Sequence, residues 1–272
     1  MMLKHIQRTA IGSVLVLVLL SGCAFIGSHS STHKSSQGMI SAPQAGEAAA
    51  GGGSYLDEKL PAEIASLELF DQNGKNFTLS SLEGKYLVLT NFLTSCQEIC
   101  PMTTANMRTI GNAVSKSGLK NIVKVLEVSV DAQRDSASRL KAYFDLFDAS
   151  TFTLASGSSN NLEQLWKYFG APAVRKTLDE KEIASLPLDW QTGKTATYDM
   201  VHPDLVVIVD PEQKWRWMNL GNPNPGKATI PEKLKTFLSE EGHANLAKPQ
   251  EPSWSVDSVY AALSDLTGVK IS

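Results

Sequence analysis

The residues best equipped for chemistry are two cysteines in TSCQEICP, residues 94–101, and a histidine in YDMVHPD, residues 198–204. Cys96 and Cys100 stand four positions apart, with Pro101 directly after the second. On the first turn of a helix, residues i and i+4 share a face with Cβ atoms about 5–6 Å apart, so two sulfurs can converge on one copper or zinc ion, or cycle between dithiol and disulfide. The positive end of the helix favours the thiolate, the form that binds metal and attacks disulfides, and a helix start leaves side chains accessible. A static disulfide is the third option, although closing so short a loop stabilises little in the chain-entropy picture. Spacing alone leaves all three open. Beyond residue 54 the histidines are His202 and His243. His243 follows Gly242, read as a helix end in a polar tail, and is expected in solvent. His202 precedes an apolar strand, where a loop can lean over the end of a sheet. Met102, Met107 and Met200 lie near the same motifs and are read as core filling, the commoner use of methionine at helical spacing.

These groups need a strand, a turn and a helix to hold them. YLVLTNFL, residues 86–93, is a short apolar run of strand formers, and Pro101 to Lys116 is compatible with a helix. Pro101 is tolerated in its first turn, where a missing N–H costs nothing. Upstream, LELFDQNGKNFTLSSL alternates around Asn73-Gly74, a hairpin signal. Downstream, NIVKVLEVSV (121–130) reads as a second buried strand, and Asp135 as the cap of a helix bearing Leu140, Phe144 and Phe147. Phe152–Leu154 suits a short strand. Asn160 with Glu163 reads as a capping box for a helix with Leu162, Leu165, Trp166 and Phe169 on its apolar face, ended by Gly170. Residues 171–197 read as a long surface insertion. DLVVIVD (204–210) and KWRWM (214–218) form a strand hairpin, Thr229 with Glu232 another capping box, and Val256, Val259, Tyr260 and Leu263 a short helix. Such alternation predicts an α/β fold with a central sheet and covered faces.

The whole chain sets the compartment. Its 272 residues carry a net charge of -3 with no lysine-rich run, which gives no electrostatic ground for a nucleic-acid partner. Lys4 and Arg8 precede an apolar run from Ile11 to Leu20, then Leu20-Ser21-Gly22-Cys23. The run is about half of the roughly 20 residues a spanning helix needs, so a cleaved secretory signal is expected, and its end resembles a bacterial lipobox with Cys23 as the lipidation site. Residues 24–54, rich in Ser, Gly and Ala, read as a flexible tether with a span of about 30 Å, and His29 and His33 within it as solvated. With Cys23 acylated, Cys96 and Cys100 have no other cysteine to pair with. Outside the cytoplasm such a pair must be bonded, cycled or metal-protected.

From about Leu67 to Glu241 the chain resembles the Sco/SenC copper-assembly proteins, thioredoxin-fold domains tethered to the respiratory membrane. The resemblance rests on Gly84-Lys85 before YLVLTNFL, on Cys96-x-x-x-Cys100-Pro101, on Val128-Ser-Val-Asp131 with Arg134-Asp135, and on His202 ahead of LVVIVDP with a terminal helix. It implies a thioredoxin-like fold, a mixed sheet flanked by helices, in which Cys96, Cys100 and His202 bind one copper ion. Two soft thiolates suit Cu(I), and an added imidazole lets the site hold Cu(II) as well. The implied partner is the copper-centre subunit of cytochrome c oxidase, or another copper carrier, which is loaded with copper or has its cysteines reduced first. Gln97-Glu98 stands where the family commonly has Pro-Asp, Val201 where it often has Asp, and Pro203 biases His202 towards extended backbone. The alternative is an enzyme, a thiol-disulfide oxidoreductase cycling Cys96 and Cys100 with His202 tuning a thiol. A peroxidase-like use of the pair comes third.

The expected organisation is a lipoprotein signal over 1–22, a lipid-anchored tether over 23–54, a thioredoxin-like domain over 55–241 and a tail with a short helix over 242–272. The expected location is extracytoplasmic, on a bacterial membrane.

Overall fold

The computed structural model describes residues 46, 48, 49, 51–148 and 150–272, which belong to one compact unit, Ile40–Ser272. The signal, Cys23, His29, His33 and most of the tether lie outside the described residues. In chain order the first elements are β1 (Ser54–Lys59), α1 (Ala62–Ala65), β2 (Leu69–Asp71), β3 (Asn76–Phe77), β4 (Tyr86–Phe92) and α2 (Cys100–Lys116). Next come β5 (Val123–Ser129), α3 (Ala137–Leu146), β6 (Thr153–Gly157), α4 (Ser159–Tyr168), β7 (Val174–Thr177) and α5 (Glu180–Ser185). The last are β8 (Tyr198–Val201), β9 (Leu205–Val209), β10 (Lys214–Leu220), β11 (Asn222–Pro223), α6 (Glu232–Lys235), α7 (Glu240–Ala247), β12 (Ser253–Trp254) and α8 (Val256–Thr267).

One eight-stranded sheet runs β1-β10-β9-β4-β5-β6-β2-β3. β4, β5 and β6 are parallel, while β9 lies antiparallel to β4 and β10 antiparallel to β9. A strand, crossover helix and parallel strand followed by an antiparallel hairpin on the other side of the first strand is the thioredoxin-like arrangement, so the fold class is as expected. The central strands carry near-continuous apolar runs because both faces are covered. Leu87 to Phe92 and all of β9 are buried, and each fully buried Leu, Val, Ile or Phe there contributes about 1.5–3 kcal/mol. α2 packs on β5 and against α8, and α3 and α4 pack on β6. Asn73-Gly74 makes the β2–β3 turn, with Gly74 at φ 76.

Three helix starts differ from the sequence expectation, two of them because a neighbouring serine makes the capping bond instead. Ser136, not Asp135, caps α3 by accepting from the Arg139 N–H, and Asp135 turns inward instead. Ser158 caps α4 through the Asn161 N–H, so the Asn160–Glu163 box does not form. Pro231 stands at the start of α6 with no side-chain cap, in place of Thr229. Residues 171–197 carry β7 and α5 and bury Trp190. Gly242 lies inside α7 rather than ending a helix, and His243 on the same helix is exposed. The segment beyond it is folded: Trp254, Val259, Ala262 and Leu263 are buried, and Tyr260 Oη donates to the Thr109 carbonyl of α2 at 3.3 Å. Among the described residues no helix is long and apolar enough to cross a membrane.

Candidate metal centre

β4 delivers the chain to the loop 93–99, and α2 opens at Cys100 with Pro101 in its first turn. Ile99 stands at the N-cap without a side-chain cap. The first backbone N–H groups of a helix need acceptors from outside it, and here Cys96 supplies one. Its Sγ accepts from the N–H groups of Ile99 and Cys100, at 3.4 Å each. Both cysteines are free thiols. They differ in exposure: Cys96 is half-buried, whereas Cys100 is 1% exposed because the first turn of α2 presses into the core from Cys100 to Thr104. The expectation of two accessible sulfurs at the helix start therefore fails at Cys100. Burial drives the Cys100 thiol well above its ordinary value, and the neighbouring Cys96 adds to the rise. Met102 and Met107 are fully buried core residues.

His202 sits in the short link between β8 and β9. Its side chain is 5% exposed. Nδ1 lies 3.1 Å from its neighbour's carbonyl, that of Pro203, and 3.0 Å from the Asn91 amide, which itself donates to the Pro203 carbonyl at 2.7 Å. Asp204 Oδ1 is 3.7 Å from Nδ1. Burial holds the imidazole below its ordinary pKa, against the Pro203 hydrogen bond and the Asp199 charge. The ring is therefore neutral near pH 7. Nδ1 has two alternative partners, accepting from the Asn91 amide in one tautomer and donating to the Pro203 carbonyl in the other; the second leaves the Nε2 lone pair free, the form of imidazole a metal takes.

Cys96 and His202 line one cavity of about 160 Å³, together with Leu93, Glu98, Asp199 and Met200 among others. Two of its acidic groups, Asp204 and Glu98, are perturbed. Burial raises Asp204 to about 7, with the Glu98 charge adding to it, and burial also raises Glu98, helped by Glu241 and Asp199. The structure thus pairs Cys96 with Cys100 along the backbone, and Cys96 with His202 across a cavity. It does not close the three into one coordination sphere: among the described residues, no group of three or more His, Cys, Asp or Glu side chains stands close enough to hold a metal ion. The donor set itself, two thiols and a neutral imidazole, fits copper.

Three further residues, Asn91, Thr104 and Glu127, adjoin these groups. Asn91 holds the Pro203 carbonyl that faces the His202 ring, and its one sequence signal is a polar side chain inside an apolar strand. Beneath Cys100, Thr104 Oγ1 lies 3.1 Å from the Cys100 carbonyl and 2.8 Å from Glu127 Oε2. One hydroxyl proton cannot serve both acceptors. Burial pushes Glu127 up to about 8 against the Thr104 hydrogen bond, so this carboxyl keeps its own proton at neutral pH.

The family described as SCO1/SenC matches residues 58–239, two thirds of the chain. The chain belongs to the SCO1/SenC family. Among similar proteins is one from Stutzerimonas stutzeri named "Putative copper-binding protein", 31% identical over 147 residues, which span 53% of this chain and 68% of that one. A SCO1 protein homolog of Bacillus subtilis (strain 168) is 30% identical over 163 residues, 58% of this chain and 78% of its own. A solved structure of a SCO1/SenC family lipoprotein from Bacillus anthracis str. Ames aligns with a TM-score of 0.48 at 22% identity, covering 67% of this chain and 95% of the other. In this SCO1/SenC chain the Gln97-Glu98 departure has a local explanation. Gln97 Nε2 donates to the Pro187 carbonyl at 2.7 Å, and the Gln97 carbonyl accepts from the Ser239 N–H at 2.9 Å. A proline there would lose the first of these bonds.

Proposed function

We propose that this protein is a membrane-tethered copper carrier that takes one copper ion on Cys96, Cys100 and His202 and passes it to the copper-centre subunit of cytochrome c oxidase or to another carrier. Cys23 supplies the lipid anchor outside the bacterial cytoplasm. The observation that carries the reading is the shared cavity of Cys96 and His202, with Cys100 one helical turn from Cys96 and joined to it by an N–H···S bond. Family membership and the name of the Stutzerimonas relative support copper as the ion. Copper is the cargo, so the site must release what it binds. The half-exposed Cys96 faces the exchange route while the buried Cys100 is reached last.

In this reading the chain's own groups do three things. The N–H groups of Ile99 and Cys100 hold the Cys96 sulfur. The Pro203 carbonyl, itself held by the Asn91 amide, orients the imidazole. The thiols give up their protons when the ion binds, so acid weakens the site.

A second reading, thiol-disulfide exchange by the same pair, is favoured by one observation: an accessible Cys96 and a buried Cys100 have the asymmetry of an attacking and a resolving thiol. One experiment separates the two. The full chain, reduced, is titrated with Cu(I) and Cu(II) beside Cys96→Ser, Cys100→Ser and His202→Ala, and each is assayed for disulfide reduction. The carrier reading expects one copper per chain and a His202→Ala variant at least tenfold weaker for Cu(II). Unchanged copper binding in His202→Ala, with disulfide reduction abolished by either serine, establishes the exchange reading instead.

A further inference from the structure

The segment read from sequence as a surface insertion grips the chain on both sides of Cys96. Thr94, two residues before it, has every polar group engaged by distant partners. Its N–H and hydroxyl donate to the Asp135 carboxylate at 3.2 and 2.5 Å. The hydroxyl accepts from Arg139 Nε at 2.5 Å, and the carbonyl accepts from Trp190 Nε1 at 2.7 Å. Arg139 is the joint between these parts. Its two terminal nitrogens donate to the two oxygens of Asp189 at 3.1 and 2.5 Å, Nη1 also reaches Gln191 Oε1 at 3.2 Å, and the guanidinium lies 5.1 Å from the Trp190 ring centre. On the far side of Cys96, Gln97 donates to the Pro187 carbonyl.

Such a two-point bidentate pair is among the stronger polar contacts and fixes direction as well as distance. It persists across physiological pH: burial alone would raise the Asp189 carboxyl, but the Arg139 and Thr192 hydrogen bonds bring it down to about 2. The grip matters because residues 93–99 contain no helix or strand of their own. Without outside partners, nothing regular would keep the Cys96 sulfur on the Ile99 and Cys100 N–H groups. A ligand held by outer hydrogen bonds binds metal more tightly than a free one, since the ordering is completed before the ion arrives.

We infer that Pro187–Gln191, acting through Arg139, Trp190 and Gln97, is a positioning clamp that holds Cys96 on the wall of the cavity it shares with His202. The inference rests on reading Cys96 as a copper ligand. Trp190→Phe keeps the ring packed on Tyr143 and Arg139 but deletes the N–H bond to Thr94. Trp215→Phe is the matched control, because Trp215 Nε1 donates to the backbone carbonyl of Trp217 at 3.1 Å on the remote strand β10. Asp189→Asn is the second clamp variant, of nearly unchanged shape, should the first fold poorly.

Hydrogen exchange of residues 94–100 and Cu(I) affinity by chelator competition are measured on the full chain. The clamp expects exchange about tenfold faster and copper about tenfold weaker in Trp190→Phe and in Asp189→Asn, within the range typical of lost outer-shell partners, and neither change in Trp215→Phe. Clamp variants that match wild type in both, or a Trp215→Phe variant with the same losses, overturn it. If wild type takes up no copper, the proposed function fails, and the exchange comparison alone decides the clamp.

Discussion

At the scale of single residues, the centre is set by what buried polar groups do when water is removed. Glu127 shows the sign most clearly. The unfolded chain ionises this carboxyl near 4.5, whereas the folded chain keeps the proton up to about 8. Between those values the folded state binds the extra proton, so stability falls as pH rises, by about 1.4 kcal/mol per unit at most. Glu127→Gln removes that titration while keeping the shape. Denaturant unfolding at pH 5 and pH 8 is therefore expected to leave the variant close to wild type at pH 5 and to make it more stable by on the order of 3–4 kcal/mol at pH 8. Parallel pH profiles would contradict the protonated carboxyl. The sequence made Cys96, Cys100 and His202 legible because thiols and imidazoles are rare and chemically loud. Asn91 and Glu127 were not legible in the same way, because only the register of β4 against β9 and β5 reveals that Asn91 faces His202 and Glu127 lies under Cys100.

At the scale of elements, periodicity located the strands and helices, and competition among adjacent polar residues decided their ends. Ser136 beat Asp135 to the cap of α3, which released Asp135 to bind Thr94 and Ser129. Sequence spacing cannot rank two neighbouring residues, Ser and Asp, that cap about equally well. The approach of α7 to the cysteine loop was equally hidden, since Gly242 looks like a helix stop. Its real use is closeness: a Cβ at Gly242 would stand 2.1 Å from the Gln97 carbonyl. Gly242→Ala must push the helix or the loop aside, at a cost of about 1–3 kcal/mol. The expected result is a lower midpoint in thermal unfolding together with weaker copper binding, because Gln97 adjoins Cys96. A variant with wild-type stability and affinity would show that this contact positions nothing.

At the scale of the whole molecule, the SCO1/SenC match ends at residue 239, but the buried core does not. α8 packs on α2, and Tyr86 at the start of β4 donates from its hydroxyl to the Leu266 carbonyl at 2.8 Å. Losing one large buried side chain such as Trp254 costs about 3–5 kcal/mol, against a total stability of about 5–15 kcal/mol for a domain. A chain ended at residue 241 is expected to lose cooperative unfolding at 25 °C. A sharp transition within a few degrees of wild type would show that the last 31 residues are dispensable. Little in the sequence announces this, because α8 is short and its partners on α2 are more than a hundred residues away. Under the proposed function such distant parts meet at one ion, an imidazole from the β8–β9 link and two sulfurs from the start of α2. Copper X-ray absorption of the loaded full chain reads that shell directly. Two sulfur scatterers and one imidazole, with the imidazole signal lost in His202→Ala, is the expected spectrum, and a sulfur-only shell that His202→Ala leaves unchanged would contradict it.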